Sequence, residues 1–143
     1  MQDWAPVPGQ LGQAWLGSDP TKVLTLTKAQ VKVKNNLVTR DFEFGSSHPL
    51  ALSPGDREVD VQIEVYSTDD GVFQTLYSAA QTEMPIALTL QLGDQPGAMM
   101  AVHVKSFIPQ VPDFDDSETR LLWNFRSSRA QGTADDEIYF AFA

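Results

Sequence analysis

The sequence predicts a mainly β fold, an antiparallel β-sandwich or partial barrel of about seven strands with one flanking α-helix. Two features point there. Short segments in which apolar and polar residues alternate recur along the chain between clusters of Gly, Pro, Asn and Asp, the pattern of half-buried strands joined by turns. Only one segment, residues 73–84, carries apolar residues at the three- and four-residue spacings of a helix face. A chain of 143 residues with 42% apolar side chains fills one sizeable core, so one β domain is expected over residues 23–143, preceded by an N-terminal arm over residues 1–22.

The arm holds Pro6, Pro8, Gly9, Gly12, Gly17 and Pro20 around Trp4, Leu11, Trp15 and Leu16. Gly and Pro at this density oppose a long regular element, and two tryptophans are costly to leave in water. Trp4 and Trp15 are therefore the expected arm contacts, docked on the same domain or on a neighbouring subunit. Residues 23–33 alternate as a strand whose apolar parity switches near Thr27, from Leu24 and Leu26 to Ala29, Val31 and Val33, which implies a bulge or bend. Asn35-Asn36 suits a tight turn because Asn tolerates positive φ, and residues 37–44 are expected to return with Leu37, Phe42 and Phe44. Residues 45–56 form a loop by composition, long for a hairpin connection and of the kind compact domains keep for a purpose.

Residues 58–65 give the cleanest strand, with four aliphatics on one face and Glu58, Asp60, Gln62 and Glu64 on the other. Asp69 and Asp70 are placed to cap a helix, Phe73, Leu76, Tyr77, Ala80 and Met84 build its apolar stripe, and Pro85 stops it. Strands are expected at residues 86–92, ending at Gly93, at 98–108 and at 119–127, with a loop over 109–117. In the last strand, residues 137–143, Ile138, Phe140 and Phe142 share one parity. An unpaired apolar edge is an aggregation template, so this strand is expected inside a sheet, and Phe42, Phe44, Phe140 and Phe142 are expected at core positions.

Composition narrows the function. Nineteen acidic residues against ten basic ones give a net charge of −9, the wrong sign for gripping phosphates, so tight nucleic-acid binding is disfavoured. Nucleic acid that slides past without sticking is compatible with it. The absence of cysteine removes disulfides, thiolate zinc sites and thiol nucleophiles. No apolar run approaches the roughly 18 residues of a membrane helix, and residues 1–22 lack the pattern of a secretion signal. A soluble, unexported chain with no membrane partner is expected.

Phosphate-loop, dinucleotide and nucleophile-elbow motifs are missing, and His48 and His103 lie far apart, so no catalytic residue and no cofactor are assigned. Asp113, Asp115 and Asp116 beside Ser117 begin like a calcium loop, but Glu118 stands where that loop needs glycine and Asn124 where it needs glutamate. A solvated acidic turn is expected, with no metal. The row Glu58, Asp60, Gln62, Glu64 lacks the burial and the aromatic platform of a glycoside-cleaving pair. It reads either as a solvated or ion-paired face or as an acidic channel lining. Lys28, Lys32 and Lys34 share one parity of an earlier strand and are possible cross-strand partners, in a register the sequence leaves open.

The order of strand, Asn turn, strand, long Gly/Pro loop, Pro54-Gly55-Asp56-Arg57-Glu58-Val59 entering a strand, acidic helix start, helix ending at Pro85, and Leu90-Gln91-Leu92-Gly93 resembles the tail tube proteins of long-tailed bacteriophages. Pro109-Gln110-Val111-Pro112-Asp113-Phe114-Asp115 and Asp136-Glu137-Ile138-Tyr139-Phe140 are similar too, so the resemblance spans residues 23–143. It implies a structural virion protein rather than an enzyme, self-assembled into hexameric rings that stack into a tube. Strands of neighbouring subunits would join in a continuous inner barrel, through which double-stranded DNA passes during ejection without specific binding. Glu58, Asp60, Gln62 and Glu64 would face that lumen, and His48, Pro49, Leu50, Ala51, Leu52, Ser53 and Pro54 would form the loop reaching an adjacent ring. Further copies of the chain, a tape measure protein and tail-end proteins are the implied partners, in the virion tail and, during assembly, in the host cytoplasm. Residues 1–22 do not align to the family, and a family member can be longer than this chain. The alternatives are a tail terminator or distal tail component, the inner tube of a contractile secretion system, or a carbohydrate-binding β-sandwich module.

Overall fold

The computed structural model describes residues 11–17, 21–40, 44–45, 47–48, 51–66, 71–115, 122–126, 130, 132 and 136–143, with the backbone alone at 113–115. Strand β6, Glu58–Tyr66, sets the layers. Val59, Val61, Ile63 and Val65 are at most 2% exposed, while the residues between them are half-buried. On one side β6 pairs antiparallel with β3, Leu26–Lys34, and on the other with β10, Leu122–Arg126, beyond which lies β9, Asp113–Asp115. A second, five-stranded antiparallel sheet runs in the order β11 (Ile138–Phe142), β8 (Met100–Phe107), β7 (Ile86–Leu92), β1 (Gln13–Leu16) and β2 (Thr21–Lys22). The buried faces of both sheets belong to one core, in which the β6 aliphatics meet Ala14, Leu16, Leu88, Val102, Val104 and Ile138.

Helix α1, Gly71–Thr82, adds Val72, Leu76, Ala79 and Ala80 to this core. Its aromatic side packs on β10: the Phe73 ring lies 5.3 Å from that of Trp123 and 6.2 Å from that of Phe125. The result is a mainly β, sandwich-like fold with one helix, and among the described residues neither large sheet closes on itself. A separate ribbon, β4 (Val38–Thr39) with β5 (Leu52–Ser53), makes a third, two-stranded sheet.

The expected bulge sits where the parity switches: the β3–β6 register shifts between Leu26 and Lys28, and the Thr27 hydroxyl donates to the Glu64 carbonyl at 3.0 Å. Strand β3 starts later than the alternation suggests, because Val23, just after β2, is tied to β1 of the other sheet, its N–H donating to the Ala14 carbonyl at 2.8 Å. Residues 13–16 and 21–22, read from sequence as part of an arm, are strands, and Ala14 and Leu16 are core residues. Asn36 does take a positive φ of 43°. It does not fold residues 37–40 back on β3, however, and residues 41–43 lie outside the described residues. The partner of β3 is β6, whose long dry face matches Ala29, Val31 and Val33, and residues 38–39 pair with 52–53 instead.

Four further expectations are corrected. The apolar stripe of α1 ends before Met84, because Glu83 adopts a left-handed φ of 53° and leaves Met84 60% exposed. Residues 113–115, expected in a loop, form β9. Phe44, Phe140 and Phe142, expected in the core, are exposed, and Phe42 lies outside the described residues, as do Asp69 and Asp70. Strand β11 pairs with β8, but among the described residues no strand lies on its other side, and Ile138 alone of its large side chains finds cover.

Phe125 is 1% exposed at the junction of β10, β6 and α1. Phe125→Ala is expected to cost about 3–5 kcal/mol through the cavity left behind, read as a lower urea midpoint at unchanged slope.

Candidate functional site

The polar face of the four-stranded sheet is a ladder of opposite charges. Because side chains alternate with period two, the register that packs Val31 opposite Val61 also sets Lys34 opposite Glu58, Lys32 opposite Asp60, Gln30 opposite Gln62 and Lys28 opposite Glu64. The Lys28 ammonium donates to Glu64 Oε1 at 3.0 Å, and Lys34 reaches diagonally to Asp60 at 3.6 Å. On the other flank of β6, Gln62 Nε2 donates to Asn124 Oδ1 at 3.2 Å, and Arg126 stands opposite Gln62. The four residues singled out from sequence thus lie in one row, and the lysines of β3 lie beside it. Three carboxylates face three ammonium groups and one guanidinium, so the face carries both signs at close spacing.

The ribbon β4–β5 leaves the sandwich between β3 and β6, and its root is tightly fixed. Asn36 Nδ2 donates to the Asp56 carbonyl at 2.8 Å. A Cβ on Gly55 would collide with the Asn36 carbonyl oxygen, which gives the Pro54-Gly55-Asp56 sequence a steric reason. Ala51, Leu52, Ser53 and Pro54 lie along this ribbon, exposed, with the Arg40 N–H donating to the Ala51 carbonyl at 3.0 Å. His48 is exposed as well, while Pro49 and Leu50 lie outside the described residues.

Two ion pairs tie down the start of β11. Arg57, at the entry to β6, donates through Nη2 to Glu137 Oε2 at 2.7 Å and so links the two sheets. That hydrogen bond, with a backbone bond beside it, holds the Glu137 carboxyl below the usual range. Lys105 donates to Asp136, which raises the lysine above its ordinary value.

Trp15 lies half-buried on β1, on the face opposite buried Ala14 and Leu16; Trp4 lies outside the described residues. Sequence reasoning missed that Trp15 belongs to a row crossing four strands, Trp15, Thr89, His103 and Tyr139, in which Thr89 Oγ1 and His103 Nδ1 share a hydrogen bond of 2.8 Å. It also missed the exposed apolar residues at the sandwich rim, Leu24, Leu92, Phe140 and Phe142. The alternation signals those residues, but parity alone does not say which side becomes wet.

No family model matches the chain, and no curated protein sequence matches it. Solved structures do. The tube-terminating cap of the anti-feeding prophage superposes with a TM-score of 0.73 at 11% identity, over 100% of this chain and 95% of that one. The sheath/tube terminator of an extracellular contractile injection system, PVC, in its extended state gives 0.68 at 10% identity, over 98% and 99%. The SPP1 tail tube gives 0.66 at 12% identity, over 87% and 76%. The fold is that of tail tube and tube terminator proteins. At these identities the likeness is one of fold.

Two outcomes test the ion pairs. The depressed Glu137 carboxyl contributes stability that is present above its ordinary range and lost as the pH falls through the depressed value. The melting temperature of Glu137→Gln should therefore sit below the parent's at neutral pH and converge with it in acid; a gap that persists in acid contradicts this. A Lys28→Ala, Glu64→Ala double-mutant cycle should give a coupling of about 0.2–1 kcal/mol that shrinks in high salt.

Proposed function

We propose that the chain is a structural subunit of a phage-like tail tube, not an enzyme, that joins copies of itself into rings and stacks the rings, six subunits to a ring as the resemblance to long-tailed phage tail tubes implies. One observation carries the reading: a four-stranded sheet with one dry face and one charge-laddered face, whose marginal strands β3 and β9 have a strand on one side only among the described residues. Joining β3 of one subunit to β9 of the next removes both margins and makes the four-stranded sheets into one wall, since a closed barrel has no free edge. The shared fold supports this reading.

In the assembled wall Glu58, Asp60, Gln62 and Glu64 face the lumen, together with Lys28, Gln30, Lys32 and Lys34. A phosphate drawn towards one lysine meets a carboxylate roughly 5 Å away on the next strand, so double-stranded DNA finds no deep well and passes without specific binding. His48 to Pro54 reach the adjacent ring on the β4–β5 ribbon. Tape measure and tail-end proteins are the partners at the tube's interior and ends, in a virion tail assembled in the host cytoplasm.

A second reading, tail terminator, is supported by the superpositions: the two tube terminators give TM-scores of 0.73 and 0.68, the SPP1 tail tube 0.66. Negative-stain images separate the two. Purified protein should form tubes with a central hole in the first reading and single rings in the second; a monodisperse monomer that binds glycans contradicts both. Glu58→Lys with Asp60→Lys should leave tubes intact and slow genome ejection from assembled virions, and normal ejection would remove the row from the lumen. Deleting residues 47–54 should leave the domain folded and stop stacking.

A further inference from the structure

Strands β3 and β10 lie on opposite sides of β6, and α1 packs on β10, so α1 closes one flank of the sandwich. The other flank, along β3, opens into a largely apolar cleft of about 590 Å³, within the size range of pockets that take a specific occupant. Val31 of one sheet and Val102 of the other contribute to its walls. Leu24, Leu92 and Phe140 stand at its mouth with 80%, 45% and 50% of their surface exposed, and Lys22 beside them is exposed as well.

The flank closed by α1 carries a matching projection. None of the 12 residues Gly71–Thr82 is charged, in a chain where 20% of residues are. Depletion of charge marks the centre of protein interfaces. The exposed side chains of the helix are Gln74, Thr75, Ser78, Gln81 and Thr82, and the Thr75 and Thr82 hydroxyls donate back to the Gly71 and Ser78 carbonyls at 2.7 Å. Those two hydroxyls are already satisfied, so covering them loses little. At the helix end Glu83 takes its left-handed φ of 53°, which a Cβ disfavours, and the Met84 N–H donates to the Ala79 carbonyl at 3.0 Å. Such a cap commonly turns the residue after it inwards against the helix, yet Met84 stays 60% exposed between Glu83 and Pro85. The corner holds an adaptable apolar side chain outwards on a fixed backbone, with one carboxylate next to it.

We propose that the cleft of one subunit receives the α1 corner of its neighbour in the same ring, with Met84 entering between Leu24, Leu92 and Phe140 and the Glu83 carboxylate meeting Lys22 at the mouth. The proposal rests on the ring reading above, in which β3 of one copy joins β9 of the next. Strand β9 extends the sheet beyond β10, the strand on which α1 packs. The joint that brings β9 to β3 therefore also brings the flank with α1 to the flank with the cleft. Projection and cleft lie on opposite flanks of one chain, which makes the contact head-to-tail, and a closed ring is the arrangement that fills every cleft.

The absence of cysteine makes the test direct. Full-length Leu24→Cys/Met84→Cys, treated with a short bismaleimide, should run on a denaturing gel as a ladder that ends at the number of subunits in a ring. An equimolar mixture of the two single variants should stop at a dimer. Met84→Asp, and independently Leu24→Asp from the cleft side, should weaken ring formation at least about tenfold in sedimentation velocity, as loss of a buried apolar anchor does, while Met84→Leu should not. Both positions are exposed in the single chain, and melting temperatures near the parent's would show that the variants fold. Glu83→Lys should weaken rings in the same assay, and Glu83→Lys/Lys22→Glu should restore them.

A crosslink confined to the monomer band would place the corner over its own cleft and overturn the proposal. So would a charge-swapped pair that forms rings no better than Glu83→Lys alone. Rings that form as usual in Met84→Asp would remove this contact and leave the tail tube reading standing, whereas a parent protein with neither rings nor ladder would remove both.

Discussion

Every second side chain of β6 is dry, and the rest of the molecule is arranged around that constraint. Burying Val59, Val61, Ile63 and Val65 contributes about 1.5–3 kcal/mol each, against about 0.2–1 kcal/mol for each cross-strand ion pair. Packing therefore chooses the register and the charges follow it. Once Ala29, Val31 and Val33 are matched to the dry face, Lys28, Lys32 and Lys34 have no alternative but the face with the carboxylates. A slip by one residue would drive those lysines into the core. The bulge at Thr27 makes this possible, since it corrects the parity between Leu26 and Ala29 at the point where β3 joins β6.

The two sides of the sandwich are finished differently. On the β10 side, α1 fills the gap between the sheets with small aliphatic residues and a cluster of aromatic rings. On the β3 side nothing comparable covers the inner faces among the described residues, and Leu24, Leu92 and Phe140 are left partly in water. A fold with one finished side and one open side, and with strands at its margins, has apolar surface and backbone hydrogen-bonding groups to offer to other copies. The Arg57–Glu137 bridge keeps β11 in place at this open side, so the rim is formed before any partner arrives.

Much of the fold was legible in the sequence where a long element carried its own period. Strands β6 and β7, with Gly93 closing β7, followed from alternation alone, and the parity switch located the bulge. The short strands were not legible: β1, β2, β5 and β9 hold two to four residues each, and only pairing with distant segments makes them strands. The same limit explains why Asn36 was recognised as a turn while the partner of Val38–Thr39 was not, since turn chemistry is local and the competition between β6 and a hairpin is not. For the charged row, sequence identified Glu58, Asp60, Gln62 and Glu64 as one face and the lysines as partners. Which lysine meets which carboxylate depended on the bulge. Phe140 and Phe142 show the converse, a clear alternation whose favoured side stays wet, with no strand beyond β11 among the described residues.

The central claim is that the dry face of β6 turns into each subunit and its charged face turns towards a shared axis. A cryo-EM reconstruction of the assembled protein, at a resolution that shows side chains, tests this most directly. The account requires Glu58, Asp60, Gln62 and Glu64 to line the central hole, interleaved with Lys28, Lys32 and Lys34. A map with that row on the outer surface, or with the hole lined by the five-stranded sheet, would contradict it.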